Sequence, residues 1–112
     1  MNIYTYKTSG GKDLIFEYID KLPKKEMVEA YRILETIEEE GLLPVNTRQL
    51  RNKLWEIKFF RHNRIMYILI DKENIYLLHA CRKQKGKAEK HELQTAFYRL
   101  NELEKHLGNK IL

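Results

Sequence analysis

Three apolar-rich runs, at positions 54–60, 65–70 and 75–81, follow one another with four residues between each pair, and no other feature limits the possible folds of this chain as strongly. Each run has strand length and is rich in Ile, Leu, Phe and Tyr. The connections Arg61-His62-Asn63-Arg64 and Asp71-Lys72-Glu73-Asn74 are polar and of hairpin length. An antiparallel meander is the expected outcome. Within the first run, alternation puts Leu54, Glu56 and Lys58 on one face and Trp55, Ile57 and Phe59 on the other. The middle run is almost wholly apolar, as a buried inner strand requires.

The flanking segments supply what such a sheet needs to bury its faces. Ile3, Tyr4, Thr5 and Tyr6 predict a strand within 2–7 that joins the sheet, and Ser9-Gly10-Gly11 breaks it. Leu14, Ile15, Tyr18, Ile19 and Leu22 recur at helical spacing and predict a helix over 12–22, stopped by Pro23. Met27, Ala30, Tyr31, Leu34 and Ile37 predict a second over 24–40, with Gly41 as its left-handed cap. The Glu38-Glu39-Glu40 run opposes the helix dipole and reads as a solvated end. Residues 42–53 show no sustained period and are expected to be a basic loop. Leu93, Ala96, Phe97, Leu100, Leu103 and Leu107 predict a last helix over 89–107, with Gly108 as its stop. The expected fold is α+β: a four-stranded, mainly antiparallel sheet with an N-terminal helix hairpin and a C-terminal helix, one domain spanning residues 1–112. At 112 residues a single core suffices without a covalent staple.

Charge is unevenly distributed. Residues 13–40 hold nine acidic side chains against four basic ones, whereas residues 53–90 hold ten basic against four acidic. The net charge of +5 therefore belongs to the sheet region and suggests a phosphate-bearing partner. The single cysteine, Cys81, excludes an internal disulfide and reads as a buried small hydrophobe. No apolar stretch approaches membrane-spanning length, so a soluble, cytoplasmic protein without membrane contact is expected. His62, His79, His91 and His106 lack the spacing of metal ligands, there is no phosphate-cradling glycine loop, and Ser9 is the only serine. No cofactor is called for. His79 and Trp55, each embedded in an apolar strand, read as packing residues.

What remains is cations on strands. Lys58 on the first run, Arg64 at the head of the second, and Arg82, Lys83, Lys85 and Lys87 after the third can converge on one groove, because adjacent strands lie about 5 Å apart. A phosphodiester fits such a groove. If it is RNA, the 2′-hydroxyl is a built-in nucleophile, and the protein has only to align it, move its proton and stabilise the phosphorane. Arg64 is placed to hold the phosphate, and Lys58, Lys83 and Lys85 to share charge stabilisation and proton transfer. Glu56 is a weaker candidate base, its commoner role being a surface partner to Lys58.

Leu54-Trp55-Glu56-Ile57-Lys58, the Arg64-Ile65 strand start, Leu77-Leu78-His79-Ala80, Lys83, Lys87, and a final helix with Ala96 and Arg99 together resemble the phage-derived Gp49-like, or HigB-like, branch of the RelE/ParE toxin superfamily. The resemblance covers nearly the whole chain. It departs at Cys81, where phenylalanine is common, at Gln84, where a second lysine is common, and at Ala88-Glu89 in place of Thr-Pro. It implies a RelE-like fold and a toxin of a type II toxin–antitoxin module that cuts messenger RNA on the ribosome without a metal. It also implies a hetero-oligomer with a small antitoxin, commonly a helix-turn-helix protein. Carried over, the family's basic positions fall on Lys58, Arg64, Lys83 and Lys87, and local charge adds Arg82 and Lys85. RNA contact is expected of Arg61, Arg82, Lys87 and Arg99. Two rival expectations are a gyrase inhibitor like the ParE branch, acting by protein binding, and a non-catalytic basic RNA-binding module.

Overall fold

The computed structural model describes residues 1–107. Its elements in order are β1 (Asn2–Thr5), α1 (Leu14–Asp20), α2 (Lys24–Glu40), β2 (Thr47–Arg51), β3 (Leu54–Phe59), β4 (Asn63–Leu69), β5 (Asn74–Arg82) and α3 (Lys87–Leu107). They form an α+β fold around one five-stranded mixed sheet of order β1-β5-β4-β3-β2. Strands β2 to β5 run antiparallel to their neighbours, and β1 lies parallel to β5 with Ile3 beside Ile75. Gly108, expected to end the last helix, lies outside the described residues.

The expected four-stranded sheet is corrected to five. The segment read as a loop contains β2, which pairs with β3 through Thr47↔Ile57 and Arg48↔Glu56 and connects to it by a tight turn at Asn52, whose φ is 53°. Its sequence, TRQLR, belongs to an edge strand: its residues are exposed or half-buried, so no apolar period is needed. Strand β4 also begins earlier than its apolar run, at Asn63, because Asn63 and Arg64 are themselves buried.

Alternation divides the sheet's side chains between two cores. Ile57, Phe59, Ile65, Tyr67, Ile75 and Leu77 pack with Ile15 and Ile19 of α1 and Ala30, Leu34 and Ile37 of α2. Leu54, Met66, Ile68, Leu78 and Cys81 pack with Ala96 and Leu100 of α3. Helix α1 is shorter than its apolar spacing predicts, because Asp13 caps it, accepting from the amides of Ile15 and Phe16 at 3.0 Å each. Pro23 caps α2, and Gly41 at φ 82° ends it.

Strand β5 contains a change of phase that matters for function. Met66 pairs with His79 but Tyr67 pairs with Leu77, so Leu78 is an extra residue in β5. Strict alternation would turn His79 and Cys81 toward α1 and α2 with Ile75 and Leu77. The bulge instead puts Cys81 in the core under α3 and brings His79 against α3, while Ala80 joins the opposite core.

Asp13 has a second role, accepting the Thr5 hydroxyl at 2.6 Å. Replacing Asp13 with Ala is expected to cost about 2 kcal/mol, since a helix cap and the partner of a buried hydroxyl are lost together. Asp13→Asn keeps an acceptor and is expected to lose less than half as much; urea unfolding of both variants checks this.

Candidate nucleic-acid interface

Pairing across the sheet sets side chains in rows. One row runs Arg48, Glu56, Met66, His79, and the next runs Lys58, Arg64, Cys81. Glu56 is 3% exposed, so its carboxylate must be met by cations rather than water. Its Oε1 lies 3.0 Å from Arg48 Nη2 and 3.7 Å from Arg64 Nε. Neither contact is aligned as a hydrogen bond, so this oxygen is held by charge alone. The expectation of Glu56 as a surface partner to Lys58 is thereby corrected: it is a buried anion shared by two arginines from β2 and β4.

Arg64 is also buried, at 8% exposure. Its Nη1 donates to the carbonyls of Arg61 at 3.0 Å and Asn63 at 2.9 Å, which braces the β3–β4 turn from within. That turn holds two consecutive non-glycine residues in the left-handed region, Phe60 at φ 47° and Arg61 at φ 63°. Each such residue costs about 1–2 kcal/mol, and such strain persists only where neighbours over-determine it. Here the His62 amide donates to the Phe60 carbonyl, and the Lys83 amide donates to the His62 carbonyl at 2.6 Å. The last contact ties the end of β5 directly to the turn.

Beneath the turn, Asn63 is fully buried. Its Oδ1 accepts from the Tyr18 hydroxyl at 2.5 Å, and its Nδ2 donates to Glu26 Oε1 at 2.7 Å. The same Glu26 oxygen lies 3.7 Å from Arg82 Nη2. Burial pushes the Tyr18 phenol up to about 12, so it stays a donor at any ordinary pH. This network fixes α1, α2, the turn and Arg82 relative to one another.

On the α3 side, the bulge brings His79 Nε2 within 2.5 Å of Glu92 Oε2, while Arg99 Nη1 lies 3.1 Å from His79 Nδ1. Because a guanidinium only donates, Nδ1 is the acceptor and Nε2 carries the proton toward Glu92. Burial holds the imidazole below its ordinary range, outweighing the pull of Glu92. Burial works to raise the Glu92 carboxyl, but hydrogen bonds from His79 and Cys81 outweigh it and leave it lowered. Burial, reinforced by Glu92, pushes the Cys81 thiol well up, as expected of an inert buried side chain. Sequence spacing shows no ligand set, yet the fold brings donor atoms of His79, Cys81 and Glu92 within 4.8 Å of one another. A metal-bound histidine presents its second nitrogen to an acceptor. Arg99 puts a donor there, so the cluster suits a hydrogen-bonded relay better than a metal.

The predicted site residues therefore divide. Lys58, Arg61 and Arg64 border one cleft of about 730 Å³ beside α2, and Arg64, Arg82 and Lys83 border a narrow crevice with Arg48, Glu56 and Glu92. Arg82 and Lys83 are exposed at the end of β5. Lys85 and Lys87 are exposed and line neither space, Lys87 being the first residue of α3. Arg99 stands apart: it donates to the Leu78 carbonyl at 2.9 Å and lies over the Tyr6 ring at 4.6 Å.

Arg48, Glu92 and the exposed Phe60 were not singled out from sequence. Glu92 and Arg99 occupy the stripe of α3 that contains Ala96 and Leu103, and charges on an apolar stripe are a legible signal of buried polar work. No helix among the described residues is long and apolar enough to cross a membrane. A family profile described as phage-derived protein Gp49-like matches residues 17–101. No curated protein matches the chain.

Two outcomes follow from this geometry. Glu56→Ala leaves Arg64 buried without its anion and is expected to cost about 3 kcal/mol in chemical unfolding. His79 takes up a proton more readily unfolded than folded, so stability should fall as pH drops below about 6.5 and level off beneath the folded value. Thermal melts across this range should show a shallower slope for His79→Gln.

Proposed function

The chain belongs to the phage-derived Gp49-like family, and on that footing we propose that it is the toxin of a type II toxin–antitoxin module, an endoribonuclease that cuts messenger RNA on the translating ribosome. The observation that carries this reading is the meeting of cations from two separate segments at one end of the sheet, Lys58 half-buried and Arg61, Arg82 and Lys83 exposed. Lys58 and Arg61 arrive through β3 and its turn, Arg82 and Lys83 through β5, and the Lys83–His62 backbone bond holds the two groups side by side.

RNA supplies its own nucleophile in the 2′-hydroxyl, so positioning and electrostatics suffice for cleavage, and DNA, lacking that hydroxyl, is not a substrate. Lys58 and Lys83, joined by Lys85 from the adjacent loop, stabilise the charge that develops on the phosphorane and exchange protons with the attacking and leaving oxygens. Arg64 acts from beneath them. With Nη1 engaged by two carbonyls, it offers Nη2 to the phosphate and adds fixed positive potential. Arg61, Arg82 and Lys87 guide the flanking backbone. The remaining parts of the proposal are a cytoplasmic location and inhibition by a small helix-turn-helix antitoxin in a hetero-oligomer.

Induction in growing bacteria with genome-wide mapping of transcript 5′ ends tests this reading. Wild type is expected to give codon-phased cuts, and a Lys58→Ala/Lys83→Ala double variant should cut at least about 100-fold less. DNA breaks without transcript cuts would mark a gyrase inhibitor instead, and neither effect would mark a non-catalytic RNA-binding module.

A further inference from the structure

We propose that Phe60 is a stacking platform for one unpaired base of the RNA, presented beside the phosphate-binding cations by the strained β3–β4 turn. The inference rests on the endoribonuclease reading and adds to it the form of substrate, a single strand with at least one base turned out.

Phe60 is 45% exposed although it directly follows buried Phe59. A turn with two residues at positive φ is made most readily by Asn-Gly or Gly-Gly. Here Phe60 and Arg61 occupy those positions, and the fold holds them there with the Arg64 side chain and the His62 and Lys83 amides. Strain kept in place by so many contacts is a common mark of a functional segment. Its product is an aromatic ring and a guanidinium side by side at the mouth of the cleft bordered by Lys58 and Arg64.

The opposite wall of that cleft fixes which part of a nucleotide goes where. It carries Glu29, paired with Arg32 at 3.3 Å, and Glu40. This wall is net negative and repels phosphate, so the strand's backbone lies along Lys58 and Arg61. A base attached to that backbone then reaches into the cleft across the face of Phe60. An aromatic face accepts any base, and cations follow any backbone, so the platform holds RNA without reading its sequence. A duplex keeps its bases stacked on one another and has none to offer.

Binding of the full-length protein to a short single-stranded 2′-O-methyl oligoribonucleotide, whose blocked hydroxyl prevents cleavage, tests the proposal. Phe60→Ala is expected to weaken binding roughly 5- to 150-fold, the range for loss of one base–aromatic stack. Phe60→Trp should retain affinity, and its added fluorescence should be quenched by the oligonucleotide beyond any change at Trp55, the chain's only native tryptophan. Phe60→Gly, which suits the left-handed backbone, should melt within a few degrees of wild type yet bind as weakly as Phe60→Ala, separating a binding role from a structural one. If wild type binds the oligonucleotide and Phe60→Ala binds equally well, stacking is overturned while the endoribonuclease reading stands. If wild type binds no RNA even at low salt, the stacking platform is overturned, while the endoribonuclease reading stands or falls on the transcript 5′-end map. Loss of antitoxin binding by Phe60→Ala with RNA affinity unchanged would make Phe60 a protein contact and also overturn the proposal.

Discussion

A carboxylate withdrawn from water needs cations in contact with it, and the whole basic end of this protein is arranged around one such group. Glu56, in the middle of β3, draws Arg48 in from β2 and Arg64 from β4. Its effect reaches well beyond the pair. Arg64 is held in the protein, its Nη1 meets the carbonyls of Arg61 and Asn63, and the turn between β3 and β4 is thereby fixed in a backbone conformation its residues would not adopt alone. A buried ion pair contributes little net stability, because desolvation offsets most of the attraction. What it contributes here is placement: without Glu56, Arg64 would be a buried cation with no anion from its own sheet against it, and its brace beneath Phe60 and Arg61 would be weakened.

A second polar layer makes the same point from the other side of the sheet. Asn63 connects Tyr18 of α1 to Glu26 of α2, and Glu26 stands near Arg82. The first and last residues of two adjacent strands are thus anchored to both N-terminal helices. Lys58 is half-buried while the Arg61 and Lys83 side chains are exposed, and the backbone carrying all three is held from both faces. That combination suits charge stabilisation of a transition state, which needs cations already in position and loses efficiency when they must be reorganised.

How much of this was legible depended on whether the residues concerned were apolar. The three meander strands and the stripes of α2 and α3 were visible because burial requires periodic hydrophobes, and Ile57, Ile65, Leu77, Leu34 and Leu100 lie where that period puts them. β2 was hidden because an edge strand requires no such pattern, and Thr47 to Arg51 carry only Leu50 toward a core. The bulge at Leu78 was hidden for a different reason. One extra residue inverts the faces of all that follow it, and Tyr-Leu-Leu-His-Ala-Cys is compatible with either phase. Its consequence, His79 and Cys81 together against Glu92, is therefore a property of pairing rather than of composition. Charge and the family resemblance identified Lys58, Arg64 and Lys83 but could not tell that Arg64 is buried, Lys58 half-buried and Lys83 exposed.

That distinction changes how the charge asymmetry of the chain is understood. Acidic residues are concentrated in 13–40 and basic ones in 53–90, which suggests two oppositely charged surfaces. The fold instead puts parts of the two segments face to face. Glu26 approaches Arg82 within 3.7 Å, and Glu29 and Glu40 form the wall opposite Lys58 and Arg61. Positive charge at the strand ends therefore has acidic neighbours on α2 instead of standing on a uniformly basic face. A broad basic surface attracts any polyanion in any orientation. Cations with negative charge beside them, on the proposed RNA reading, favour a single strand lying with its bases turned away from the cations. On the proposed RNA reading, helix α2 is part of the interface: its carboxylates repel, and by repelling they restrict where a phosphate can rest.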